Sequence, residues 1–300
     1  MKTSSVNNTS FAVIALVANA LVWGVSWWPF RQLQSHGLHP LWSTALLYVL
    51  IFVLMLVLRP SSWRGFANNP VLWWLVLAAG LTNVGFNWAV TVGDVVRVVL
   101  LFYLMPAWSV LVAWLLLGEK PTPGSLLRLA LAMAGVLIVL KTPEAAWPVP
   151  QSTPDWLALL GGLSFAITNV LLRKTAGTPA DARMLAMFGG GAALATVAAL
   201  LGMSQQVVPA PALALAGVPM LIGLCVAFLI SNVALQYGAA RLAASTTALV
   251  MLTEILFASG SAALLDAAEF PPRLLIGGGL IVLAALLAAL APSNDKAQTV

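Results

Sequence analysis

The chain has 300 residues, of which 61% are hydrophobic and 8% charged, with a formal net charge of +5. Soluble domains carry roughly 25% charged residues, and surface-to-volume scaling gives no way to bury so apolar a chain in one soluble core, so an integral membrane protein is expected. The positive balance comes without a basic run or interleaved aromatics, which argues against a nucleic-acid partner, and the lone Cys225 excludes an intrachain disulfide or a cysteine metal cluster.

Taken in chain order, ten windows are apolar for roughly the 20 residues that a helix needs to cross about 30 Å of hydrocarbon. They cover residues 11–30, 41–58, 71–91, 95–117, 125–140, 156–172, 183–201, 218–238, 243–265 and 274–291. The windows are solidly apolar and rich in Leu and Ala, not alternating, which excludes a transmembrane barrel. The first follows only Lys2 and leads into further spans, so it is expected to stay as a helix and not to be cleaved as a signal peptide. Between the fifth and sixth windows Pro143, Pro148, Pro150 and Pro154 punctuate a polar stretch that reads as a linker. The expected organisation is a first five-helix repeat over 1–141, a Pro-rich linker over 142–155 and a second repeat over 156–300. An odd number of spans per half inverts the second half relative to the first, the inverted-repeat architecture of secondary transporters. Lys and Arg concentrate in cytoplasmic loops. With the chain starting inside, Lys2, Arg59, Arg64, Lys120, Arg128, Arg173, Lys174, Arg183, Arg241 and Lys296 fall on that side, against Arg31, Arg97, Lys141 and Arg273 outside. Both termini are therefore expected in the cytoplasm.

The duplication is written most clearly in the third and eighth windows. Thr82 to Trp88 (TNVGFNW) recurs as Ser231 to Tyr237 (SNVALQY) with every change conservative. In each copy two amides stand four apart, Asn83 with Asn87 and Asn232 with Gln236, so each pair projects from one helix face. Trp23, Ser26 and Arg31 likewise precede Phe165, Thr168 and Arg173 by 142 residues. Polar side chains inside a span turn toward the bundle interior or water, which makes Thr82, Asn83, Asn87, Ser231, Asn232 and Gln236 candidates for lining a substrate path. Amides donate and accept at once and suit a zwitterion; hydrogen bonding between helices is the alternative reading of the same pattern. Trp23 and Phe165, with Ser26, Thr168 and Asn169 nearby, would form an aromatic wall beside polar groups, and Tyr103 and Trp108 are the other deep aromatics; core packing is the alternative. Most of the 12 tryptophans, among them Trp63, Trp73, Trp74 and Trp147, fall near span ends and read as interfacial belts. Glu254 is the one acid near mid-span. It is either a proton or cation coupling site or a protonated carboxyl bonded to Thr246, Thr247 or Thr253. Glycine clusters at 161–162, 189–191 and 277–279 allow close helix approach, and Pro29, Pro106 and Pro219 lie where a span could kink.

The ten spans in two halves, the LVWGVSW of residues 21–27, and the LMPAW of 104–108 followed by LGEK at 117–120 resemble the EamA-type drug/metabolite transporters. The likeness runs through the whole chain. Its tryptophan-rich first half looks most like the YddG-type exporters of aromatic amino acids, and the family implies gating by rocking of one half against the other. The second half departs from the pattern, because Glu254 stands roughly where Pro106 stands in the first, and Ala268-Glu269 replaces the Gly-Glu after span four.

An intramembrane enzyme would need a nucleophile with a base, paired acids or metal ligands at depth. The two histidines, His36 and His39, share one short outer loop without further ligands, and Glu254 has no second acid in its span. No enzyme, metal site or cofactor is expected. The reading is a ten-helix, all-α secondary transporter of the cytoplasmic (inner) membrane, its partners the lipid bilayer and a small-molecule substrate, working as a monomer and exporting small organic metabolites, amino acids first. A broad exporter of hydrophobic or cationic drugs is the alternative, and a structural membrane protein is the alternative of a different class.

Overall fold

The computed structural model of the chain describes residues 2–93, 95–140, 150–265 and 272–291. Among the described residues all regular structure is helical: α1 (Lys2–Val25), α2 (Trp27–Ser35), α3 (Pro40–Leu58), α4 (Ser61–Ala67), α5 (Leu72–Val92), α6 (Val95–Phe102), α7 (Met105–Leu117), α8 (Pro123–Leu140), α9 (Thr153–Lys174), α10 (Ala180–Ser204), a short 3₁₀ turn (Leu215–Gly217), α11 (Val218–Ala239), α12 (Ala244–Met251), α13 (Glu254–Leu264) and α14 (Pro272–Ala289). Among the described residues nine stretches are long and apolar enough to cross a membrane, and a tenth is added if α4 and α5, bent by 104° at their junction, count as one. The expected windows agree with these within a few residues. Most of the expected linker, and the Ala268-Glu269 pair, lie outside the described residues.

Several spans are not single helices, which hydropathy could not reveal. The first breaks at Ser26, whose hydroxyl donates to the Trp23 carbonyl at 2.7 Å, and continues as α2 to Ser35. Pro29 contributes there, because its ring nitrogen cannot donate to the carbonyl one turn back. The fourth span breaks at Tyr103–Leu104, one residue before Met105 and Pro106. The ninth breaks at Leu252–Thr253, immediately before Glu254. The two breaks are 149 residues apart, the spacing that also separates Thr82 from Ser231. No proline stands at the second; there the Thr253 hydroxyl donates to the Val250 carbonyl at 2.8 Å and the backbone tightens to i→i−3 bonds. Pro219 makes no kink at all. It sits in the first turn of α11, where a missing N–H costs nothing.

Packing runs crosswise between the halves. α1, from the first half, packs on α11, α12 and α13; α9, from the second, packs on α5, α6 and α7. Two bundles result, one of α5, α6, α7 and α9, the other of α1, α11, α12 and α13. The pairs α3–α10 and α8–α14 join the halves directly. The α8–α14 contact depends on two glycines facing each other: a Cβ on Gly135 would lie 2.5 Å from the Gly277 carbonyl, and one on Gly277 2.6 Å from that of Gly135. Such backbone approach is how helices associate where lipid removes the hydrophobic drive.

The outer surface is apolar, and polar side chains are set within an otherwise apolar interior. Phe11, Leu115, Ile230 and Leu275 are exposed, whereas Asn19, Asn83, Thr168, Asn169, Ser231 and Gln236 are buried. Trp63, Trp73, Trp74 and Trp156 are also exposed, near helix ends where indoles favour the interface.

Candidate functional site

Between the two bundles lies a cavity of about 820 Å³, its open mouth included. α5 presents Thr82, Asn83 and Asn87 to it, and α11 presents Ser231 and Asn232. The heptad duplicated in the sequence thus faces one space from two sides. Asn19 of α1 and Thr168 of α9 also line it, and they too are 149 residues apart. That register differs by seven residues from the one pairing Trp23 with Phe165 and Ser26 with Thr168. Ser26 instead caps the break in the first span.

Aromatic rings stand on both walls. On one, Phe102 meets Phe86 at 4.7 Å and Phe165 at 6.2 Å between centroids. On the other, Phe228 meets Trp23 at 4.7 Å and Tyr48 at 6.5 Å, and Tyr48 meets Phe188 at 5.5 Å. Trp23 and Phe165 therefore belong to opposite walls. Such offset and tilted pairs add roughly 0.5 to 1.5 kcal/mol each beyond burial, which helps to hold a preformed shape.

Several of these amides also join helices. The Tyr48 hydroxyl of α3 donates to Asn83 Oδ1 at 2.9 Å, and Asn83 Nδ2 donates to Ala79 O at 2.8 Å. Asn87 Nδ2 donates to Thr44 Oγ1 at 3.1 Å. Asn19 Nδ2 reaches the Ser231 hydroxyl at 2.6 Å and its carbonyl at 2.9 Å. Asn232 and Gln236 are joined at 2.7 Å. Gln236 lies behind the cavity wall, facing Ala180 and Met184 at the start of α10. Asn169 is fully buried outside the lining, and neither of its side-chain polar atoms finds a partner among the described residues.

Glu254 reaches the cavity from the break between α12 and α13. Tyr103, itself outside the lining, sits at the break between α6 and α7 and hydrogen-bonds the Glu254 carboxyl. The two breaks thus meet through these side chains. Gly24 lets α1 close on this point, since a Cβ there would lie 2.7 Å from the Glu254 carbonyl. Among the described residues no Lys or Arg lines the cavity, and Glu254 is its one carboxylic acid. Among the described residues no cluster of His, Cys, Asp or Glu could hold a metal ion. His39 Nδ1 accepts the Leu41 N–H at 3.2 Å, a helix cap, and burial holds the His39 imidazole below its usual pKa.

Two ion pairs lie away from the cavity. Arg97 Nε donates to both oxygens of Asp155 at 2.9 Å, and Asp155 Oδ2 also accepts the N–H groups of Gln151 and Ser152. Arg173 Nε lies 3.7 Å from Glu119 Oε1. Burial pushes the Glu119 carboxyl above its usual range, against the pull of Arg173 and the Ala244 N–H.

Sequence reasoning missed Asn19, although an asparagine in mid-span was itself the signal. It also missed Tyr48, Phe86, Phe102, Phe188 and Phe228, which no local pattern separates from other apolar-span aromatics.

Residues 10–141 match the EamA-like transporter family. An uncharacterized transporter of Pseudomonas aeruginosa is 29% identical over 120 residues, covering 39% of this chain and 38% of its own length. The chain thus aligns with well under half of that relative. One solved crystal structure superposes with a TM-score of 0.75 at 17% identity, over 93% of this chain and 97% of the other, a likeness of fold alone.

Proposed function

With an EamA-like transporter domain over residues 10–141 as premise, we propose that this multi-pass membrane protein is a secondary carrier that exports small organic solutes bearing an amino group on an apolar or aromatic body. The single observation that carries the reading is the cavity itself. It lies between two bundles, has amides and hydroxyls on two sides, aromatic rings on both walls, one carboxyl, and no basic side chain. An ammonium group would be met by Glu254 and the amide oxygens, the body by Trp23, Phe165 and Phe228, and a carboxylate by amide N–H groups. Amino acids fit this set.

Alternating access by rocking of the two bundles about the cavity is the proposed mechanism. The crosswise packing supports two inverted repeats as its basis, because each half lends its first helix to the other. The same reading has both termini in the cytoplasm, supported by the excess of Lys and Arg on that side, and the protein working as a monomer in the inner membrane.

A second reading, a broad exporter of hydrophobic cations, is favoured by the position of Glu254 on the cavity. Counterflow in proteoliposomes separates the two. Radiolabelled aromatic and aliphatic amino acids should exchange, and Asn83→Ala should abolish it. Exchange of lipophilic cations but no amino acid would move the assignment to the second reading, and exchange of neither would overturn both. Glu254→Gln with unchanged rate and pH dependence would remove the carboxyl from either scheme.

A further inference from the structure

Resting on the reading of the protein as an alternating-access carrier, we propose that Ser109, Asn169 and Thr247 line the shut half of its transport path, and that the Glu119–Arg173 ion pair, seated on the α11–α12 turn, is the gate that closes it. The first observation is a cost without a visible return. Ser109, Asn169 and Thr247 are fully buried, and their side-chain polar atoms find no hydrogen-bond partner among the described residues. Buried polar groups are nearly always paired, because an unpaired one forfeits its hydration.

These three residues come from α7, α9 and α12, which pack on one another. α7 and α9 belong to one bundle and α12 to the other, so the unpaired groups sit on the seam between bundles. Local register agrees. Val112, Ala113, Val170 and Ala244 form one apolar cluster. Ser109 is one turn from Val112 and Ala113, Thr247 one turn from Ala244, and Asn169 adjoins Val170.

The seam leads from the cavity to the ion pair. Along α9 the order is Thr168 on the cavity, Asn169, then Arg173. Along α12, read backwards, it is Met251 on the cavity, Thr247, then Ala244. At the far end Arg173 Nη1 donates to the Ala240 carbonyl at 3.4 Å, and the Glu119 carboxylate lies near the Ala244 N–H. Both charged residues belong to the first bundle, and the turn they hold belongs to the second. The Arg97–Asp155 pair differs, since it joins α6 to α9 inside one bundle and crosses no seam.

The chemistry follows from the two positions of such a seam. Shut, it strands an amide and two hydroxyls; parted, it offers them to water and to a polar solute moving between the cavity and the Lys- and Arg-rich face. A seam built only for packing would be apolar. The side chains of Arg173 and Glu119 remain 22% and 29% exposed, so water can compete for the pair when the bundles separate.

The test uses thiol accessibility in reconstituted full-length protein. In a Cys225→Ala background, Ser109→Cys, Asn169→Cys and Thr247→Cys are made singly, with lipid-facing Leu115→Cys as the control, and probed with a membrane-impermeant methanethiosulfonate. The three seam thiols should react slowly with the ion pair intact and at least several-fold faster when Glu119→Gln is added, while position 115 stays unreactive. Arg173→Gln should have the same effect, so that a folding defect in one gate variant does not decide the matter. Equal reactivity with and without the pair, in protein that elutes as a folded species, would overturn the proposal. The labelling needs no substrate. Seam thiols that respond in a protein exchanging no amine would sink the substrate assignment alone, whereas amine counterflow with a seam that never labels would sink the gate alone.

Discussion

The fourth and ninth spans are broken at corresponding places, and they are held in different ways. The break between α6 and α7 adjoins Pro106, and this span is tied to α9 by ion pairs near both of its ends, Arg97–Asp155 and Glu119–Arg173. The break between α12 and α13 has no proline, and that span rests on the first span, through Gly24 of α1 and one bond from Trp27 Nε1 of α2 to the Ser261 hydroxyl at 2.9 Å. The comparison teaches that the break does not depend on proline, since the ninth span makes it with the Thr253 hydroxyl bonded to the Val250 carbonyl. The two ion pairs make the first bundle the more heavily tied of the two at these spans.

Substitutions can break this contrast. Asp155→Ala should be the most damaging, since it removes the carboxylate shared by Arg97 and the N–H groups of Gln151 and Ser152; loss of a hydrogen bond to a charged group costs roughly 1.5–3 kcal/mol, read as a large fall in the thermal midpoint in detergent. Gly24→Leu comes next, at roughly 1–3 kcal/mol for overpacking, since a Cβ there already lies 2.7 Å from Phe257 Cβ. Trp27→Phe should cost about 0.5–1.5 kcal/mol, the net worth of one hydrogen bond. Pro106→Ala should cost only what its buried ring contributes to packing, roughly 0.8 kcal/mol per methylene removed, because the ninth span makes the same break without proline. A loss at Pro106 exceeding that at Asp155 would reverse the contrast.

The spans were legible because lipid imposes an apolar length on every crossing, and the described helices end within a few residues of the windows. The breaks at Ser26, Tyr103 and Leu252 were not, since they depend on which neighbour each face meets. The duplicated heptad pointed to Thr82, Asn83, Asn87, Ser231 and Asn232, and all five lie on the cavity. The same periodicity put Gln236 on the face of Asn232, one turn on, where α10 covers it. Helical spacing names a face, not what packs on it. Asn19 escaped notice because its partner, Ser231, is 212 residues away.

The central claim is that solute crosses through this cavity, and protection of a cavity thiol tests it most directly. Thr82→Cys in the Cys225→Ala background keeps the side chain close to its natural size and places a thiol on the lining. The account predicts that an amine exchanged in counterflow slows alkylation at position 82 and does so over the concentrations that saturate exchange. Counterflow that saturates while alkylation at position 82 proceeds unchanged would place the path elsewhere and contradict it.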